Sequence, residues 1–238
     1  ITFVITSSDT NTEERITTIA SYTTGATTID VAKIKDTYDD VKLVLDNTKV
    51  NHTDAAIVID SGDFTVAEYN GIGTAGVGSI DFSAATLVGS YSDITGLGKT
   101  VIEGQKISIT DNIDISKLDT LTGSTYNVTL SDITFNLEDT GATLASSTHS
   151  SKVDAATAIV VSDSTTVSNL QTIATNSSLT LGTGITYSGV TDSASVLSST
   201  NATIQGILDT KNLTFNESAT AAQYRQALTN DGDGGSVQ

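Results

Sequence analysis

Short runs of alternating apolar residues recur along the chain at a nearly fixed interval, and this recurrence constrains the fold more than any other feature. Ile57-Val58-Ile59-Asp60, Ile107-Ser108-Ile109-Thr110-Asp111, Ile159-Val160-Val161-Ser162-Asp163 and Leu213-Thr214-Phe215-Asn216-Glu217 each read as a brief strand ending in a carboxylate. Phe3-Val4-Ile5-Thr6 is a weaker first copy. With Ile5, Ile59, Ile109, Val161 and Phe215 taken as equivalent, the steps are 54, 50, 52 and 54 residues. A second column repeats with steps of 51, 53 and 52: Ile29-Asp30-Val31, Ile80-Asp81-Phe82, Ile133-Thr134-Phe135 and Ile185-Thr186-Tyr187. It trails the first by 21 to 24 residues. Self-similarity at such a period is the mark of a repeat architecture.

The segment after each strand recurs as well. Leu118, Leu170 and Tyr224 each lie nine residues beyond their strand marker, among apolar positions three or four apart, which is the helical period. A short helix or helical turn is therefore expected after each strand, with Asp163, Ser164 or Thr165 as the cap in the fourth copy. A strand and helix of this size cannot bury an apolar face alone, so neighbours must stack. Strand–crossover–strand units favour parallel pairing. The expected fold is mainly β: an elongated, parallel, β-solenoid-like repeat with short helices. The alternative is a row of small β-sandwich domains, but sandwich strands recur every 8–12 residues or so. Residues 1–229 divide into about five repeats of ~52 residues (near 1–54, 55–105, 106–157, 158–210 and a partial 211–229), and 230–238 reads as an acidic, Gly-rich linker or loop.

Composition narrows the function classes. Hydrophobic residues are 37% of the chain and aromatics 5%, so the core must be Ile, Val, Leu and Ala, in thin layers. There is no Cys, Met, Trp or Pro. Missing Cys excludes disulfides, thiolate metal sites and thiol nucleophiles. Missing Met implies a processed or excised piece. No run approaches eighteen apolar residues, so no membrane span is expected. The 28 acidic residues against 11 basic give a formal net charge of −17, which repels nucleic acid.

Several motifs fail on context. Gly71-Ile72-Gly73-Thr74-Ala75-Gly76 matches a dinucleotide-binding pattern by letter, but a strand-like Ile80-Asp81-Phe82 comes where a helix should begin, so the glycines read as a turn. Gly98-Lys99-Thr100 lacks the partner glycine of a phosphate loop, since position 93 is Asp93. His52 and His149 lie in polar segments that read as solvated loops, without a nucleophile elbow. No dense catalytic cluster breaks the repeat, so no enzyme is expected. Six Asn-x-Ser/Thr sequons, at Asn51, Asn127, Asn176, Asn201, Asn212 and Asn216, arise readily in a Ser/Thr-rich chain.

Two carboxylate sets remain. Asp60, Asp111, Asp163 and Glu217 end successive strands at nearly the same place. They are helix caps on one reading and a stacked row of Ca²⁺ ligands on the other, with hydroxyls and carbonyls completing the coordination. Asn230-Asp231-Gly232-Asp233-Gly234-Gly235 is the best single cation candidate: Asp231 and Asp233 alternate with Gly, so their oxygens can converge.

Ile159-Val160-Val161-Ser162-Asp163-Ser164-Thr165-Thr166-Val167-Ser168-Asn169-Leu170 and Ala219-Thr220-Ala221-Ala222-Gln223-Tyr224 resemble the repeats of long bacterial or archaeal surface proteins, such as S-layer proteins and RTX-type adhesins. The resemblance implies an extracellular cell-surface location, packing against copies of itself or other surface proteins and polysaccharide, and Ca²⁺ that orders the fold and drives lattice assembly. The chain departs from the RTX pattern in lacking a Gly-Gly-x-Gly-x-Asp run. The expected function is a structural segment of a surface assembly. The alternatives are the stalk or binding module of an adhesin, with Tyr91, Tyr126 and Tyr187 as candidate glycan-stacking rings, and a β-helical polysaccharide-acting enzyme.

Overall fold

The computed structural model describes residues 12–22, 29–209, 211–232 and 236–238. The weak first strand expected at Phe3-Val4-Ile5-Thr6 lies outside the described residues. The chain forms two compact units. The first holds Ile1–Thr110 and Gly123–Ile133, and the second holds Asp111–Thr122 and Thr134–Gln238.

The strand triplets form strands, and every register-defined pair is parallel. In the first unit, β1 (Ile29–Asp30) pairs with β3 (Val50–Asn51), and β2 (Lys33–Asp36), β4 (Ala56–Ile59) and β6 (Ser79–Asp81) form a three-stranded sheet. Also in the first unit, β5 (Asp63–Thr65) pairs with β7 (Thr86–Gly89), and β7 with the start of β8 (Lys106–Ile113). In the second unit β10 (Ala158–Val161) lies between β9 (Ile133–Asp139) and β11 (Ile185–Tyr187). In the second unit β12 (Gly189–Asp192) pairs with β13 (Asn212–Phe215). Partners lie one short crossover apart: Ile34 faces Ile57, Phe64 faces Leu87, Leu137 faces Ile159, and Val190 faces Leu213. These eight side chains are at most 2% exposed, so like residues stack into apolar columns.

The mainly-β expectation is overturned, and the tandem sandwiches with it. The fold is mixed α/β, with 43% of the described residues helical and 26% in strands, and with parallel sheets and helical crossovers. Two features explain the misreading. The strands are only two to eight residues long. The helices are rich in Thr, a weak helix former that hides the helical pattern. Thr95, Thr120, Thr122, Thr172, Thr175 and Thr229 turn their hydroxyls back onto the carbonyl four residues earlier, which satisfies them inside a helix.

Every principal crossover helix but α10 (Ala194–Leu197), where the Ser193 side chain makes no cap, starts from one local device. The principal crossover helices are α2 (Tyr38–Leu45), α3 (Val66–Thr74), α4 (Tyr91–Gly96), α6 (Ile115–Thr122), α7 (Gly141–Leu144), α9 (Val167–Asn176), α10 and α12 (Ala221–Asp231). Thr37, Thr65, Ser90, Thr140, Thr166 and Thr220 each cap the next helix, accepting the backbone N–H three residues on. Asp114 does the same for Lys117 N–H at 2.7 Å. With Ser193, these positions recur every 24 to 28 residues, so each ~52-residue period carries two strand–helix units. Four residues past the cap an apolar side chain points inward. Val41, Ile94, Leu118, Leu144, Leu170 and Leu197 are all fully buried there.

Candidate functional site

Strand-end carboxylates are the most regular polar feature of the second unit. Asp139 closes β9. One of its oxygens accepts the N–H of Thr140 at 2.8 Å, and the other accepts the N–H of Ile115 at 3.2 Å. Ile115 is the first residue of α6, the helix leading into β9. Asp192 closes β12 and repeats the arrangement, with Ser193 N–H at 2.8 Å and Val167 N–H, the first amide of α9, at 3.0 Å. Asp163, just past β10, takes the first amide of α7 at Gly141 (2.7 Å). Glu217, just past β13, takes the first amide of α10 at Ala194 (3.0 Å).

The physical reason is plain. A helix leaves its first N–H groups without intrahelical partners, and they sit at the positive end of its dipole. A carboxylate from the next strand meets that need with a charge-assisted hydrogen bond. In α6, α7 and α9 the capping side chain of Asp114, Thr140 or Thr166 satisfies the N–H three residues on, and the carboxylate satisfies the first. Both links come from the repeat itself, and the carboxylate joins one strand–helix unit to the next.

The six residues expected to bind a cation therefore have different surroundings. Asp163 and Glu217 hold helix starts. Asp60 faces Lys35 Nζ at 3.9 Å and accepts from the Ser61 hydroxyl at 3.2 Å. Asp111 is exposed on β8. Asp231 is buried in the last turn of α12, and Asp233 lies outside the described residues. Among the described residues, no group of three or more His, Asp or Glu side chains is placed to hold a metal ion. Asp139 and Asp192, which complete the row, were missed. The signal for them was an Asp next to the Ser/Thr cap, as in Asp139-Thr140 and Asp192-Ser193.

Comparison with known proteins returns no match to a family model, to a curated protein or to a solved structure. The site must be read from its own chemistry.

The end of α12 is the most polar part of the second unit's interior. Asn230 is 4% exposed and fully engaged. Its amide donates to Leu197 O at 2.8 Å and Ser199 O at 2.9 Å, and its oxygen accepts from Gln205 and Gln226, both at 3.0 Å. It thereby fastens α12 to the end of α10 and to α11 (Ala202–Leu208). Asp231 beside it has a buried Oδ1 with no hydrogen-bond partner. Burial, and secondarily the Asp209 carboxylate, push its carboxyl above the usual Asp range. Burial likewise raises the Tyr187 hydroxyl, which donates to Ile207 O at 2.9 Å.

The remaining sequence candidates have mostly structural surroundings. Gly71 and Gly73 are helical, inside α3, rather than in a turn; only Gly76 adopts a left-handed φ of 77°. His52 is half-buried, not solvated, with Nε2 3.1 Å from Leu45 O. His149 lies in a short 3₁₀ turn with a buried Nδ1. Of the candidate stacking rings, Tyr187 is 8% exposed, and Tyr91 and Tyr126 are half-buried, Tyr126 donating to Thr95 O at 3.2 Å. A cleft of about 450 Å³ in the first unit is lined by Thr65, Val66, Asn70, Ser90 and Asp93 among others. Its carboxylate, Asp93, already accepts from the Ser90 hydroxyl at 2.6 Å. No helix among the described residues is long and apolar enough to cross a membrane.

Proposed function

We propose that the chain is a structural segment of an extracellular surface-layer or similar cell-surface assembly, working through protein–protein packing. The observation that carries this reading is the use of the strand-end carboxylates. Asp139, Asp163, Asp192 and Glu217 accept backbone amides of the preceding unit, so the most regular acidic groups in the chain serve cohesion. The absence of Cys and the strongly acidic, hydroxyl-rich composition fit an exported protein of this kind.

Calcium has a different part to play on this reading than the sequence first suggests. Four of the strand-end carboxylates meet backbone donors without it. Two copies carrying −17 each repel one another, and divalent cations between exposed acidic side chains would offset that repulsion. Ca²⁺ is thus proposed at contacts between copies rather than within the strand-end row.

Electron microscopy of the purified chain, concentrated with millimolar Ca²⁺ and then with chelator, tests the proposal. Ordered arrays or filaments that disperse on chelation are expected. Dispersed particles under every condition, together with turnover of a polysaccharide that a single carboxylate substitution abolishes, would overturn it in favour of an enzyme.

A further inference from the structure

The last strand–helix unit lacks what its predecessors in the second unit have. The first amides of α6, α7, α9 and α10 each meet a carboxylate from the next strand. Among the described residues no carboxylate reaches the first amide of α12, at Ala221. The apolar column also opens to solvent there. Leu118, Leu144, Leu170 and Leu197 are fully buried, but Tyr224, at the same place in α12, is 41% exposed, and Leu228 one turn on is 44% exposed. Tyr224 lies against the half-buried Phe215 ring, centroids 6.2 Å apart, whereas Ile109 and Val161 at the corresponding strand position are at most 4% exposed.

Residues 236–238 show where the pattern continues. They lie beside β13 as the next parallel strand. Leu213 N–H donates to Ser236 O at 2.6 Å, Gln238 N–H to Leu213 O at 2.8 Å, and Phe215 N–H to Gln238 O at 2.9 Å. Leu213 is thereby paired with Val237, much as Val190 is paired with Leu213.

We infer that the face made by Phe215, Tyr224, Arg225 and Leu228, beside the Ser236–Gln238 edge, seats one further strand–helix unit of the same construction, whose strand runs parallel to β13 and ends in Asp or Glu. The interface between successive units appears four times in this unit and stands half-built at its last step. Charge selects the same occupant. Ala221 N–H and the Arg225 guanidinium form a positive spot on an acidic chain, and Arg225 shares a groove with Thr220, Ala221 and Tyr224. An arriving strand-end carboxylate matches it, as Asp192 matches the start of α9.

The inference rests on reading the chain as a packing segment, and the two fail separately. The test is the full chain extended after Gln238 by a second copy of Phe215–Asp231, which keeps the Leu213–Val237 register. The extension is expected to raise the melting temperature by about 4 °C or more and to protect Ala221 N–H from hydrogen exchange by at least about tenfold. The same extension with the added copy of Glu217 changed to Ala is expected to lose most of the protection at Ala221 and part of the gain in melting temperature. An unchanged melting temperature with an unprotected Ala221 amide would sink the inference and leave the packing proposal standing. So would a wild-type dimer in sedimentation that Tyr224→Ser abolishes, since a second copy would then own the face. Dispersed particles under every condition together with polysaccharide turnover would sink the packing proposal and leave this result intact.

Discussion

At the scale of single residues, the structure makes sharp claims where the repeat leaves no room. A Cβ on Gly141 would sit 2.1 Å from the Thr165 hydroxyl oxygen and 2.4 Å from its Cβ, and Thr165 is itself buried. Gly141→Ala is therefore expected to destabilise the protein by about 1–3 kcal/mol in denaturant unfolding, through overpacking. Asn230→Leu removes four hydrogen bonds and strands the buried Leu197 carbonyl and the part-buried Ser199 carbonyl, with an expected loss of about 2–4 kcal/mol. Asp231 predicts a gain. Its folded-state carboxyl titrates above the unfolded one, so its ionised form opposes folding at neutral pH. Asp231→Asn should raise the melting temperature at pH 7, and the gain should vanish once the pH lies below the ordinary Asp value of about 3.9. A gain that persists in acid would mean that the cause is not ionisation. None of this was legible in the sequence, where Asn230-Asp231-Gly232 read as a flexible acidic loop. The glycines gave no sign that α12 runs on to Asp231 and buries the pair.

At the scale of elements, the strand triplets were legible because period-2 alternation of Ile, Val and Phe survives in a short run. The four markers of each column that fall in described residues lie in or beside strands. The helices were underread because many of their exposed positions are Ser or Thr, which satisfy themselves against the helix backbone instead of advertising an amphipathic face. Strands β2, β5 and β7 escaped for a related reason: each buries a single residue, as in Lys33-Ile34-Lys35-Asp36 and Asp63-Phe64-Thr65, too little for a pattern. Of the four carboxylates read as strand ends, two serve as caps, Asp163 and Glu217, and the helix each serves is the preceding unit's; Asp60 faces Lys35 instead, and Asp111 lies inside β8. This assignment predicts graded effects. Asp192→Ala removes acceptors for Ser193 and Val167, and about 2 kcal/mol should be lost. Asp192→Asn, which keeps a single carbonyl acceptor, should lose less. Thr166→Ala, which removes the cap on Asn169 N–H, should cost about 1 kcal/mol.

At the scale of the whole molecule, cohesion within a chain and association between chains have separate causes. Cohesion comes from stacked apolar columns and from carboxylates set on helix starts, so the melting curve should be the same with millimolar Ca²⁺ and with chelator, while association should respond to the cation. The most direct measurement is amide hydrogen exchange of the intact chain in chelator, tracked at Ile115, Gly141, Val167 and Ala194. Slow exchange is expected at all four in the wild type, and rapid exchange confined to Val167 in Asp192→Ala. A Val167 amide that exchanges equally slowly in Asp192→Ala, or one already fast in the wild-type chain until Ca²⁺ is added, would contradict the assignment of these carboxylates to helix starts.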